Sequence, residues 1–372
     1  MERITPILML PNVNVIEPIE STSGLIVSSS DKRLRLLSRE HPNFRIFLSR
    51  FKNAFGHKVT PSIFALKASA DDVLRNTDAI ASFRDALAMS VIPYQRALLI
   101  QRPNGPYIVW TDYFNFYPWM LDKNNEYLIG NSPAMLGLDE AREFHGQCSP
   151  ELFPQSLRPH ELDNPLLAAL LERWEKYFAQ RAETWENRAL FRSLNMAFRA
   201  GQMPAGKDLT IYDVGRAVAL WVSAFEILSH PGGTQKTDYG RVSNLIRLAP
   251  WKSAKTIETK YAAYKMSGQT TVGRWLYGEL YRTRNSFLHG NPVGRSDLLI
   301  PASGRNLFEF AAPLFRMALA SFLALEEPAW KIETLKGEAQ KREIERQFRF
   351  VMPQHEIEKS LLLAQQPKPN PR

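Results

Sequence analysis

The sequence predicts a mainly α protein: a mixed α/β amino-terminal domain followed by an all-α carboxy-terminal helical bundle. Three observations carry this. The chain has 372 residues, more than one hydrophobic core usually holds. Up to about residue 160, extended runs and turn signals alternate with helical spacing, whereas from Asn164 onward the apolar spacing is helical and strand signals are absent. Hydrophobic residues make up 44% and charged residues 23%, the balance of an ordinary globular chain, which excludes wholesale disorder and a fibrous protein. The expected division is a mixed α/β domain over 1–160, a helical domain over 161–327, and a charged helix with a flexible tail over 328–372.

Ile4 to Ile19 and Gly24 to Val27 read as extended. Phe44, Phe47, Leu48, Phe51 and Phe55 have the spacing of one amphipathic helix. Ser69 ahead of Ala70-Asp71-Asp72 is a helix start with acids in the first turn. Arg96 to Ile100 and Tyr107 to Tyr117 read as two strands joined across Pro103-Asn104-Gly105-Pro106, and Asp122 to Asn125 as another turn. Ser132-Pro133 and Ser149-Pro150 each set an N-cap ahead of an N1 proline. Asn164-Pro165 opens a long helix, with further helices near 184–200, 210–229, 240–266, 270–289 and 305–325. The segment 331–347 is charged and helical, and Gln365 to Arg372, with three prolines in eight residues, reads as a frayed tail.

Several function classes fall away. Cys148 is the only cysteine, which excludes an intramolecular disulfide and a cysteine-based zinc site and suits a reducing compartment. The start, Met1-Glu2-Arg3, lacks a convincing signal peptide. The longest apolar stretch, Ala311 to Leu325, is 15 residues and carries Arg316, so no membrane span and a cytoplasmic location are expected. Gly201 to Lys207 has the glycine spacing of a P-loop, but Asp208 stands where Ser or Thr would hold magnesium, so a helix connector fits better. His160-Glu161-Leu162-Asp163 matches no metal-ligand spacing and reads as a polar loop before the Asn164 cap. Neither a metal nor a cofactor is expected.

The net charge of +9 is clustered. Asp31 to Lys58 holds 8 Lys and Arg against 2 acids, giving +6, and Lys236 to Lys265 holds 7 against 2, giving +5. Such clustering attracts a polyanion, because each neutralised phosphate releases counterions. The second segment interleaves Tyr239, Trp251, Tyr261 and Tyr264, which could stack on bases or turn inward as core. Trp251, Lys252 and Lys255 are its candidate nucleic-acid contacts.

One segment carries chemistry. Trp275 to Asn291 reads as a helix that stops at His289, with Gly290 as left-handed cap and Pro292 forbidding continuation. Leu276, Leu280 and Phe287 fall within about 40° of one another on the helical wheel and define a core stripe, widened by Tyr281 and Leu288. Asn285 and His289 share the opposite edge, with Arg282 beside them. Arg284 falls inside the apolar arc, and a guanidinium cannot be discharged, so if buried it needs an acidic or phosphate partner. Ala217 to Leu228 is apolar on nearly every face and Glu226 is its only charge, so Glu226 and Arg284, 58 positions apart, are expected to pair.

Arg284-Asn285-Ser286-Phe287-Leu288-His289 resembles the R-x4-H signature of HEPN domains in its Arg-Asn form, and Gly290-Asn291 completes their usual ending. Leu220 to Leu228, with Glu226, is similar to the acidic helix of the ApeA-like HEPN branch. The resemblance covers roughly residues 165–325. It implies an all-α bundle, commonly dimerised so that two motifs face one cleft, and in many members a metal-independent RNase used in antiphage defence or as a toxin. Other members bind RNA or partners without cutting. Carried onto this chain, His289 is the acid or base, Arg284 holds the phosphate, Asn285 orients and Glu226 positions Arg284, while Arg282 beside them reads as a solvated or phosphate-contacting charge. The expected partners are RNA and a second copy of the chain through the helical domain, with a trigger or neutralising partner at residues 1–160. The rival reading is a non-catalytic RNA- or partner-binding dimerisation module.

Overall fold

The computed structural model describes residues 2–105, 107–130, 136–146, 148–202, 210–265, 267–327 and 334–367. The chain forms two compact units. One comprises Met1–Arg84, Asp112–Pro159 and Leu171–Ala182, and the other Asp85–Thr111, His160–Leu170 and Glu183–Arg372. Among the described residues, no helix is long and apolar enough to cross a membrane.

The first unit is mixed α/β. Its strands β1 (Ile4–Leu10), β2 (Val13–Val15), β3 (Ile19–Glu20) and β4 (Gly24–Ser28) occupy the runs expected to be extended. Helix α1 (Lys32–Glu40) is capped by Asp31, whose Oδ1 accepts from the Arg33 N–H at 2.8 Å. Helix α2 (Pro42–Ser49) is shorter than the phenylalanine spacing predicts. Phe44, Phe47 and Phe51 are buried, but Phe55 lies beyond the helix and is 80% exposed. The Asn53 side chain explains the stop: its Oδ1 accepts from both the Phe55 and His57 N–H groups at 3.0 Å, a local loop that competes with helix continuation.

Strand β5 (Ser62–Lys67) completes a four-stranded antiparallel sheet of order β1-β5-β4-β3. The β1–β5 register shifts between Pro6 and Leu8, where a proline has no N–H for the ladder. Asp71, not Ser69, caps the turn that follows, and α3 (Thr77–Gln101) begins only at Thr77.

Helix α3 overturns the strand assigned to Arg96–Ile100, which is its last turn and a half. A short apolar run cannot be told from a buried helix by periodicity, and the structure decides for the helix. Pro93 sits inside α3, where it removes the intrahelical bond to the Met89 carbonyl, and the neighbouring Ser90 carbonyl accepts from the Asp163 N–H at 2.8 Å. Tyr107–Tyr117 is not a strand either: a 3-10 turn over Trp110–Asp112 interrupts it. The turn at Asp122–Asn125 is present, with Asn125 at φ 60°, between β6 (Trp119–Leu121) and β7 (Tyr127–Gly130). Strand β8 (Leu138–Glu140) pairs with β7, and β9 (Gln155–Leu157) runs parallel to β2. Ser149-Pro150 starts no helix, and Ser132-Pro133 lies outside the described residues. Phe47, Phe51, Tyr117 and Phe144 meet edge-to-face or tilted around a core that also buries Cys148, and burial pushes the Cys148 thiol up.

The second unit is predominantly helical. Helix α4 (Asn164–Trp174) is capped by Asp163 rather than Asn164: the Asp163 carbonyl accepts from Leu167 and its Oδ1 from Leu166. Helices α5 (Trp185–Gly201) and α6 (Ile211–Leu228) form an antiparallel hairpin, with the Ser193 hydroxyl donating to the Ala224 carbonyl at 2.7 Å and the Trp185 indole to His230 at 2.7 Å. Most of the glycine-spaced connector lies outside the described residues. The helix expected over 240–266 is instead α7 (Tyr239–Arg247), a short α8 (Ala254–Ile257) and a two-residue hairpin of β10 (Tyr261–Ala262) with β11 (Gln269–Thr270). Pro250 forbids continuation of α7, and strands of two residues are too short to leave a periodic signal, which is why this half read as free of strands. Helices α9 (Val272–Leu288), α10 (Ala311–Phe322) and α11 (Gly337–Leu362) follow. The tail is anchored as far as Gln366, whose carbonyl accepts from Arg305 Nε at 2.9 Å, and 368–372 lie outside the described residues.

Arg316, the charge that interrupts the longest apolar stretch, is 1% exposed at the centre of this unit. Its Nε donates to Asp163 Oδ2 at 2.7 Å and its Nη1 to the Gln354 side chain. Gln354 continues to Glu358, whose carboxylate also accepts from the Lys252 and Ser253 N–H groups at 2.8 and 2.7 Å and from the Thr256 hydroxyl at 2.9 Å. One polar chain therefore joins the α4 cap, α10, α11 and the segment before α8. Removing one partner leaves a charge buried and uncompensated, so Asp163→Asn is expected to cost about 3–5 kcal/mol. A urea midpoint within error of wild type would show that the pair carries no such weight.

Candidate functional site

Helices α6 and α9 pack antiparallel. Phe287 lies against Gly215, where an added Cβ would meet its ring at 2.1 Å, and Phe225 meets Tyr277 with ring centroids 5.3 Å apart. This register sets Val222 opposite Leu280. Side chains on a helix lean toward its own N-terminus, so Glu226 and Arg284 lean toward each other across the antiparallel seam. They meet with Arg284 Nη2 at 3.5 Å from Glu226 Oε2, the pairing the sequence pattern required. The pair is partly covered rather than buried, its side chains 22% and 18% exposed. The apolar arc ends early: Leu276 and Leu280 are buried, but Leu288, expected to widen the core stripe, is 57% exposed.

Arg284 has further neighbours. Its Nη1 donates to Asn285 Oδ1 at 3.0 Å, and its guanidinium carbon lies 5.6 Å from the Tyr281 ring centroid. The Lys265 ammonium approaches the same ring at 5.2 Å, so two cations share one aromatic. Tyr277, Tyr239 and Tyr264 extend the aromatic cluster, with Tyr239 stacked on Tyr277 at 5.5 Å. These tyrosines escaped the sequence reading as site neighbours. The signal was present, because Tyr277 and Tyr281 are four apart and precede Arg284 by seven and three residues, the spacing of one helix face.

Burial outweighs the pull of Arg284 and raises the Glu226 carboxyl above its ordinary value. Tyr277 is driven far up, chiefly by burial and then by the nearby Glu226 charge. Among the described residues, Arg284 Nε and Tyr277 Oη are buried without a hydrogen-bond partner.

His289 occupies the C-cap of α9, its N–H donating to the Asn285 carbonyl at 3.1 Å, and Gly290 follows at φ +70°, the left-handed cap expected. The His289 side chain is exposed, and no hydrogen bond to its ring is present among the described residues. Arg282 lies on the solvent side, ion-paired with Glu279. The structure thus joins Glu226, Arg284 and Asn285 by direct contacts and places His289 five residues beyond Arg284, at the C-cap of α9.

It does not gather the other candidates there. Trp251 donates its indole N–H to the Ile246 carbonyl at 2.9 Å, and its ring covers Gly273, where a Cβ would meet it at 2.8 Å. Gly273 and Arg284 are eleven residues apart on α9, about 16 Å along its axis. Lys252 pairs with Glu327 at 2.9 Å, and Lys255 is exposed beyond it on α8. The four aromatics of the basic segment are turned onto α9 rather than offered to bases: Tyr261 stacks on Trp275, Tyr239 and Tyr264 pack around Tyr281, and Trp251 covers Gly273. Large apolar rings gain more from covering a helix than from facing water. Among the described residues, no group of three His, Cys, Asp or Glu side chains is placed to hold a metal ion.

Comparison with protein-family models, with curated proteins and with solved structures finds no match to this chain.

The Glu226 shift has a measurable sign. A carboxyl whose pKa folding raises binds its proton more tightly in the folded chain, so ionising it costs stability as pH rises from the ordinary 4.5. The stability of wild type relative to Glu226→Gln should fall as pH rises through that value and level off once the group has ionised. Urea melts across that range check it, and a difference that stays flat or grows refutes the assignment.

Proposed function

We propose that the helical unit is a metal-independent endoribonuclease of the HEPN type, acting as a homodimer on RNA in a defence or toxin role. The observation that carries the reading is Arg284, held by Glu226 and Asn285, in the last turns of the helix whose C-cap is the exposed His289. The R-x4-H resemblance supports it.

The chemistry follows from those groups. His289 removes the proton from a ribose 2′-hydroxyl, whose oxygen attacks the adjacent phosphorus. Arg284 binds the phosphate oxygens as negative charge grows on the phosphorane. Asn285 and Glu226 hold the guanidinium in one orientation. The bond to the 5′-oxygen then breaks, leaving a 2′,3′-cyclic phosphate, and that oxygen takes a proton from the partner's His289 across the two-fold axis. Residues 1–160 would receive the trigger or the neutralising partner.

A second reading is favoured by one observation: both Nη groups of Arg284 are already engaged within the chain. On that reading the bundle is a non-catalytic RNA- or partner-binding dimerisation module, and RNA binds without being cut.

Cleavage of total and transfer RNA in excess EDTA separates the two. His289→Ala is expected to lower the rate by about 10²–10⁴-fold, and Arg284→Ala comparably, with the oligomer retained and cyclic-phosphate ends on the wild-type products. Wild-type cutting that survives His289→Ala overturns the site. Binding without product from either protein, repeated with excess phage-infected cell extract as trigger, favours the module.

A further inference from the structure

The first unit carries a second feature suited to RNA. Between Glu40 and Asp71 the sequence has no acidic residue, while Arg45, Arg50, Lys52, Lys58 and Lys67 fall in that interval. At its centre the chain folds back on itself. Lys52 and Lys58 form an antiparallel bridge, the Asn53 N–H donates to the His57 carbonyl at 2.8 Å, and the Val59 N–H donates to the Phe51 carbonyl at 3.1 Å. Asn53 caps the tip from inside with its side chain, and Gly56 takes the left-handed backbone, φ +80°, that closes the turn. Phe55 stands at this tip, 80% exposed, beside the exposed His57 ring at 6.5 Å. Its exposure belongs to a pinned loop, since backbone and side-chain bonds fix both arms.

We infer that the Lys52–Lys58 loop is a contact site for single-stranded RNA, with Phe55 stacking on an unpaired base and the two lysines holding the flanking phosphates. Two observations point to a polyanion. Like charges directly opposite on paired strands repel, and the phosphates held at Lys52 and Lys58 relieve that repulsion. No carboxylate within the 41–70 stretch competes for them. The lone aromatic favours a nucleic acid over a lipid surface. A base needs one flat ring, whereas interfacial anchoring needs a broad apolar face, and the tip neighbours Asn53, Gly56 and His57 supply none. Duplex RNA keeps its bases stacked internally, so the ring selects single strands. This site is independent of the nuclease reading: it predicts binding whether or not the helical unit cuts.

The test is fluorescence anisotropy with a fluorescein-labelled single-stranded RNA of mixed sequence, free or annealed to its complement. Full-length proteins all carry His289→Ala so that the probe survives. Phe55→Ala and Phe55→Leu are each expected to weaken single-strand binding about 5- to 100-fold, Phe55→Trp to restore it, and duplex affinity to stay within about twofold. Lys52→Gln with Lys58→Gln should reduce the slope of log K against log salt by about 1.4, two phosphates at about 0.7 each. Phe55 contributes nothing to the buried core, and Phe55→Leu retains bulk should the alanine variant unfold. Single-strand affinity unchanged in the Phe55 variants overturns the site, as does an equal loss on duplex. So does wild-type binding only to vesicles of anionic phospholipid, with no RNA bound. In the cleavage assay, cutting that survives His289→Ala, or no cutting by wild type, with Phe55-dependent binding intact fails the nuclease reading alone.

Discussion

A guanidinium that cannot be discharged sits at the centre of the helical unit, and much of that unit is arranged to satisfy it. Arg316 interrupts an otherwise apolar helix, so its charge must be met inside the protein. Asp163, which caps α4, meets it directly, and Gln354 and Glu358 extend the chain of bonds along α11 to the backbone before α8. Four segments far apart in sequence are thereby held to one register. A replacement by packed hydrophobic residues could match the stability of such a pair, but it would not impose the same directional geometry on four elements.

The same constraint operates at Arg284 with a different outcome. Here the arginine falls within the apolar arc of a helix and also finds a carboxylate on another element, yet the pair reaches solvent. Antiparallel packing of α6 on α9, seated by Phe287 against Gly215, lets Glu226 and Arg284 lean toward each other from either side of the Val222–Leu280 level. Tyr281 covers one face of the guanidinium, and Lys265 loads the same ring with a second cation. The result is a concentrated positive charge, oriented by its neighbours and open on one side, with His289 a turn further on at the helix cap. Where Arg316 organises a core, Arg284 faces outward, and that difference is what makes it a candidate for chemistry.

The two basic segments, similar in composition, diverge once folded. In Lys236–Lys265 the aromatics are spent on α9, and Trp251 is committed by its indole bond and by its contact with Gly273. In Asp31–Lys58 most rings join the first unit's core, but Phe55 is left outside because α2 ends at Ser49 and the Asn53 side chain holds the following residues in a loop. Composition alone ranked the aromatic-rich segment as the base-stacking one. Packing reverses that ranking, since an aromatic can serve a helix face or a ligand but seldom both.

From residue identities alone one could read the change from mixed to helical character, the end of α9 at Gly290, and the need of Arg284 for Glu226. These follow from local rules: apolar period, the left-handed freedom of glycine, and the permanent charge of arginine. Other features depended on contacts between residues distant in the chain. Arg96–Ile100 is helix because α3 is buried nearly all round, which erases the periodicity that distinguishes helix from strand. Asp163 looked like loop because its partner, Arg316, lies 153 residues away. The tyrosines around Arg284, the β10–β11 hairpin and the exposure of Phe55 likewise arise from which surfaces happen to be covered. Local chemistry states what a side chain requires, and only the packed fold settles which neighbour supplies it.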